Sequence, residues 1–339
     1  MRTALLVMLL ATTTAARDPL ADDIAKWHAY LESVKDTTDE RQKQMTEGIA
    51  PIFARAEAAF KEGHRELALQ RLASARVQLA AAEFVMARPK SERSDQARFE
   101  AEWKRAGHEL RDDLRPTPAN AFASLHPAAV RAQAEATQPQ VKAFYNASLE
   151  YSRNTDPFAG LYYVGNAFAQ KQLAALCRQM STPASQQAPP IRSIAIEIAS
   201  LQHELLKAYR PPASIDRHSE FIGASALLKE ARDLDASGLR YGALLRYLQA
   251  VLRTAPLLPP LATSDVTAKL NEFEARMTGS IDHTIARQFL DAARMDPANA
   301  AVIANEVLPR YFAAIGPAPA APKNVTPAVT VTLVRWPFT

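Results

Sequence analysis

The sequence predicts an all-α protein of stacked antiparallel helical hairpins with a short C-terminal β-strand tail, and three observations predict the helical part. Glycine is scarce, 10 in 339 residues, while alanine, leucine, arginine, glutamine and glutamate dominate, the composition of helices joined by few tight turns. Prolines fall at Pro116 and Pro118, from Pro183 to Pro190, at Pro211 and Pro212, from Pro256 to Pro260 and from Pro317 to Pro327, each set between stretches that read as helical. Leu69, Leu72, Leu79 and Met86 recur at helical steps and share one stripe that must pack on a neighbour. These breaks leave roughly a dozen helices.

Residues 1–16, MRTALLVMLLATTTAA, read as an export signal. Arg2 is the positive n-region, Ala4 to Ala11 an unbroken apolar run, and Thr14-Ala15-Ala16 a small-residue exit, with cleavage expected after Ala16. A bilayer span takes about 20 apolar residues, so no stable membrane anchor is expected and the compartment is secreted or periplasmic. Cys177, the single cysteine, cannot make an intramolecular disulfide, and its small apolar neighbours in LAALCRQM predict a core thiol.

Residues 17–315 form the helical domain, with a possible subdivision near 181–190. Thr37, three residues before Glu40, predicts a capping box ahead of an amphipathic run to about Glu62. Asp156-Pro157 and Asp296-Pro297 each place a capping aspartate before a proline at the first helical position, where its missing N–H costs nothing. After a Pro/Ala linker at 316–327, residues 328–339 read as one strand, with Val329, Val331 and Leu333 on one face and Trp336 beyond. A single strand cannot stand alone. It must pair with an edge in the chain, a second copy or another protein, or lie between helices.

Charge excludes some functions. The formal net charge is +4 with a pI near 9.1, and Arg2 would leave with the signal. So small and dispersed a surplus predicts no nucleic-acid partner and no membrane-binding patch. Of the seven histidines, none follows a glutamate by three positions. His108-Glu109 and His203-Glu204 begin like a zinc-protease motif, but Asp112 and Lys207 stand where its second histidine must be. His28 with Glu32 and His108 with Asp112 are spaced for surface pairs along a helix. No nucleophile elbow or glycine-rich phosphate loop occurs. Asp112-Asp113 and Asp233 with Asp235 read as charged solvent faces. No catalytic residue, cofactor or metal ligand is expected, although a carboxylate pair assembled from distant segments stays open.

Three segments resemble the tetratricopeptide repeat, a stacked helix-turn-helix unit of about 34 residues. In AEAAFKEGHRELALQRLASA, Ala56, Gly63, Ala68 and Ala75 match its small and turn positions, with Phe60 before the glycine. In ARDLDASGLRYGALLRYLQAVL these places are Ala231, Gly238, Ala243 and Ala250, with Tyr247 as the aromatic. DPFAGLYYVGNAFAQ carries the first-helix pattern through Leu161, Gly165, Asn166, Ala167 and Phe168, and its second helix, around Cys177, departs from the repeat. The spacing of the matches is irregular, so an irregular helical bundle is the alternative to a superhelix. The resemblance implies a ligand groove lined by first-helix residues: Phe53, Glu57 and Phe60, then Tyr162, Asn166 and Gln170, then Leu228, Arg232 and Asp235.

Together these features predict an exported, non-catalytic scaffold that binds a protein or peptide partner in the cell envelope. The rival expectation is an envelope hydrolase acting on cell-wall polymer, its site assembled from residues distant in sequence.

Overall fold

A computed structural model describes residues 18–212, 214–258 and 265–316. The export signal, most of the Pro/Ala linker, and Val329, Val331, Leu333 and Trp336 lie outside the described residues. Those described are helical, with one isolated parallel bridge between Gln187 and Ile281 and no strand among them. No described helix is long and apolar enough to cross a membrane.

Helices α1 (Pro19–Val34), α2 (Glu40–Glu47), α3 (Ala50–Lys61) and α4 (Arg65–Met86) open the chain. The Asp18 carboxylate caps α1 by accepting from the Leu20 N–H at 3.0 Å. The expected single run from Thr37 to Glu62 is two helices, and the cap differs. Asp39 caps α2 by accepting from the Gln42 N–H, while the Thr37 hydroxyl donates to the Gln42 side chain. Pro51 divides the run, because it has no N–H for an interior turn and fits the first turn of α3.

Helix α5 (Gln96–Glu109) leads to the longest pair, α6 (Ala128–Asn154) and α7 (Pro157–Met180). Asp156 caps α7 by accepting from the Ala159 N–H at 2.7 Å. The free N–H groups at the start of α6 are taken from far along the chain. Ala128 donates to the Asp282 carboxylate at 2.6 Å and Ala129 to the Thr284 hydroxyl at 3.0 Å. Helices α8 (Ala195–Ala208), α9 (His218–Ala236), α10 (Arg240–Thr254), α11 (Val266–Arg276) and α12 (Thr284–Met295) follow. The last helical stretch is α13 (Pro297–Val302), a π-turn (Ile303–Val307) and α14 (Leu308–Ala314), with Asp296 capping α13.

The most extensive helix contacts are α6 with α7, α9 with α10, α4 with α7, α3 with α4 and α6 with α10. Helices α6 and α7 thus lie between α3–α4 and α9–α10, α7 against α4 and α6 against α10. Gly63 and Gly238 turn the α3–α4 and α9–α10 pairs with φ of 85° and 78°, a left-handed conformation that side chains resist. Around these turns Ala56, Ala68, Ala75, Ala231, Ala243 and Ala250 are wholly buried, so their helices approach closely. One apolar cluster runs from Leu20 to Ala314 and takes side chains from both sides of 181–190.

The segment from Asp156 differs from its sequence reading. Gly165 lies inside α7 against the Ala81 backbone, and Cys177 sits farther along the same helix. No turn follows the first-helix pattern there, because no break residue stops α7 before Met180.

Candidate functional site

Helices α4, α6, α7 and α10 enclose a cleft of about 350 Å³. Tyr162, Asn166 and Gln170 fall at four-residue steps on one face of α7 and enter it together. Across from them, Gln70, Ser74 and Gln78 form the matching stripe on α4. Gln133 and Phe144 come from α6, and Arg246 and Gln249 from α10. The wall therefore mixes carboxamides and rings with the aliphatic Ala73, Val77 and Leu173, and holds one cation among the described residues.

The state of these carboxamides is the informative feature. Asn166 is 4% exposed and donates to the Tyr162 carbonyl at 3.0 Å, its own oxygen having no partner among the described residues. Gln133, 3% exposed, donates to the Thr137 hydroxyl at 3.1 Å, and its oxygen likewise has no partner among the described residues. Gln170 is 7% exposed, and its carboxamide has no partner among the described residues. None of their atoms is both sealed from water and unpaired, so their uncommitted groups face the solvent of the cleft, where a ligand's donors and acceptors can take the place of water.

Arg246 is already engaged, 2.9 Å from the Glu230 carboxylate and donating to the Gln249 oxygen at 3.0 Å. Burial raises the phenol pKa of Tyr162, so that hydroxyl is neutral and serves as a hydrogen-bonding group. Tyr163 stacks on Tyr151 at 4.0 Å between centroids, and burial raises its pKa too. No histidine lines the cleft. Among the described residues no group of three histidine, cysteine, aspartate or glutamate side chains could hold a metal ion.

The other six groove positions lie elsewhere. Phe53 and Leu228 are core side chains, 2% and 1% exposed. Phe60 packs on the core edge, and Glu57 pairs with His28 at 2.9 Å. His28 thus turns to α3 rather than to Glu32, which takes Lys35 instead. His108 likewise meets Arg111 rather than Asp112. Arg232 is exposed and donates to Gln202. Asp235 is not on a solvent face: it is buried and accepts from the Ser193 hydroxyl at 2.6 Å and the Ile194 N–H at 3.3 Å, fixing the start of α8. A first-helix residue is buried wherever another helix covers it, and only on α7 is the predicted stripe left facing a cleft.

Sequence reasoning missed Gln70, Ser74 and Gln78, although their four-residue spacing opposite the leucine stripe of α4 was a readable signal. It could not find Gln133 or Gln249, which reach the cleft only through the packing of α6 and α10.

Comparison with known proteins found no matching family model, no similar curated protein and no similar solved structure.

Proposed function

We propose that this protein is a non-catalytic exported scaffold whose cleft binds an extended peptide segment of an envelope partner. The observation that carries the reading is the trio of buried carboxamides, Gln133, Asn166 and Gln170, whose uncommitted groups converge on one cleft. A carboxamide offers a donor and an acceptor side by side, as a backbone peptide unit does, so an extended chain can pair with it whatever its sequence. The flanking rings of Phe144 and Tyr162 add apolar contact area at low entropic cost.

In this reading the pairs α3–α4, α6–α7 and α9–α10 act as stacked hairpins like those of tetratricopeptide repeats. The tail at 328–339 is a strand that pairs with an edge of this or another chain. The signal at 1–16 carries the protein out of the cytoplasm, and N-terminal sequencing of the exported chain should begin at Arg17.

The binding reading is tested by passing residues 17–339 over a randomised octapeptide pool. Retention that falls about tenfold in Asn166→Ala/Gln170→Ala, with the helical melt kept, supports it. No retention, or retention equal in the double variant, overturns it.

A further inference from the structure

The cleft does not end at α10. A second cavity of about 390 Å³ adjoins it and shares Gln70, Ser74 and Gln249 as lining residues. Its floor is apolar, with Leu67 and Phe289 among the buried side chains. Its rim carries three arginines, Arg55 from α3, Arg71 from α4 and Arg253 from α10. Most described arginines have a carboxylate within 4.0 Å, as Arg65, Arg76, Arg88 and Arg93 do. None of these three has one among the described residues.

The single carboxylate that lines the cavity among the described residues is committed. Asp296 caps α13, accepting from the Ala298 N–H at 3.3 Å and from the Asn299 amide at 2.7 Å. Arg71 is held in place, donating to the Arg55 carbonyl at 3.2 Å with the Met295 sulfur at 3.6 Å. Burial and the adjoining Arg55 charge lower its pKa more than Asp296 and Glu62 raise it, so the cation is partly desolvated with a like charge beside it and no carboxylate within 4.0 Å among the described residues. Such a group gains more from a carboxylate than one in open water does.

We infer that the peptide bound in the carboxamide cleft carries an acidic group, a glutamate or aspartate side chain or a terminal carboxylate, that docks among Arg55, Arg71 and Arg253. The inference rests on the peptide reading above and adds the charge and register of the ligand. The shared residues set the register: the backbone runs along Gln170 and Asn166, and the carboxylate lies beyond Gln70 and Gln249. Arg71 is the central contact because its guanidinium is already positioned, which lowers the ordering cost of binding.

The test uses residues 17–339 and two otherwise random octapeptide pools with amidated C-termini, one with a fixed glutamate at position six and one with glutamine there. A third pool keeps glutamine and a free C-terminus, separating a terminal carboxylate from a side-chain one. Retention of either acidic pool about tenfold above the glutamine amide pool, lost in Arg71→Gln and in high salt, supports the inference. Arg55→Gln and Arg253→Gln, at exposed positions, guard against misfolding of the Arg71 variant and are expected to weaken the same pool. Equal retention of all pools, still sensitive to Asn166→Ala/Gln170→Ala, overturns the acidic ligand and leaves the peptide reading standing. Acidic-pool retention unchanged in all three arginine variants also overturns it. No retention of any pool overturns both readings.

Discussion

The Glu135 carboxylate of α6, wholly buried, accepts a hydrogen bond from the Gly242 N–H of α10 at 3.0 Å. Arg131, one turn earlier, donates to the other carboxylate oxygen at 2.7 Å and lies over the Tyr241 ring at 3.9 Å. This contact joins α6 to α10 and so holds Gln133 opposite Gln249 in the cleft. Gly242 is required there, since an added Cβ would lie 2.7 Å from the Ala136 nitrogen and 2.8 Å from the Glu135 Cβ.

Glu135→Ala should therefore destabilise the fold by about 3–5 kcal/mol, as expected when one partner of a buried ion pair is lost. Gly242→Ala should cost about 1–3 kcal/mol through overpacking against backbone. Equilibrium urea denaturation measures both.

Burial raises the Glu135 pKa above its ordinary 4.5 despite the help of Gly242 and Arg131. The unfolded chain then loses this proton first as pH rises. The contribution of Glu135 is greatest below about pH 4.5 and falls until its folded pKa is passed. Glu135→Gln should remove that decline, which denaturation midpoints between pH 4 and 8 would reveal as a flatter curve for the variant.

Glu274 has the opposite sign. Arg294 and Arg287 hydrogen bond its carboxylate and hold its pKa down to about 2. Its stabilisation of the α11–α12 contact is present above the ordinary value of 4.5 and is lost as pH falls through about 2. Glu274→Gln should flatten the acid limb of the stability curve. The effect should be small at high salt, because the side chain is more than a third exposed.

The two turn glycines should differ under substitution. Gly63→Ala places its Cβ in open space and costs only the left-handed backbone, about 1 kcal/mol. Gly238→Ala adds a contact of 2.9 Å with the Ala119 Cβ and should cost more. Thermal denaturation of the two variants ranks them.

Cys177 is buried against its neighbours, and burial pushes its thiol up to about 12. Iodoacetamide should leave it unmodified in the native state and label it once urea unfolds the chain, read by mass spectrometry. Labelling of the native protein at the rate of a free thiol would contradict the packing of α7.

Helical class, the capping aspartates and the α4 leucine stripe were legible because each depends on residues within a few positions of one another. Asp156 and Asp296 cap their helices, and Leu69, Leu72 and Leu79 are all buried. The division at Pro51 was legible too, but the capping-box spacing at Thr37 masked it. Gly165 lies within a helix as its first-helix position implied, but the separate second helix expected around Cys177 is the continuation of α7, because no break residue stands between them.

The tetratricopeptide resemblance pointed to Tyr162, Asn166 and Gln170, and a helix that repeats its faces every three to four residues sets them on one stripe. Whether that stripe met solvent, a core or a cleft depended on what packed over it. Phe53 and Leu228 occupy comparable sequence positions and are buried by neighbouring helices. The sequence by itself determined the helices, several of their ends and the polar character of the α7 face. The tertiary structure alone brought Gln133 and Gln249 to that face and left Arg55, Arg71 and Arg253 with no carboxylate within 4.0 Å among the described residues, because contacts between helices far apart in the chain follow from how whole surfaces fit together.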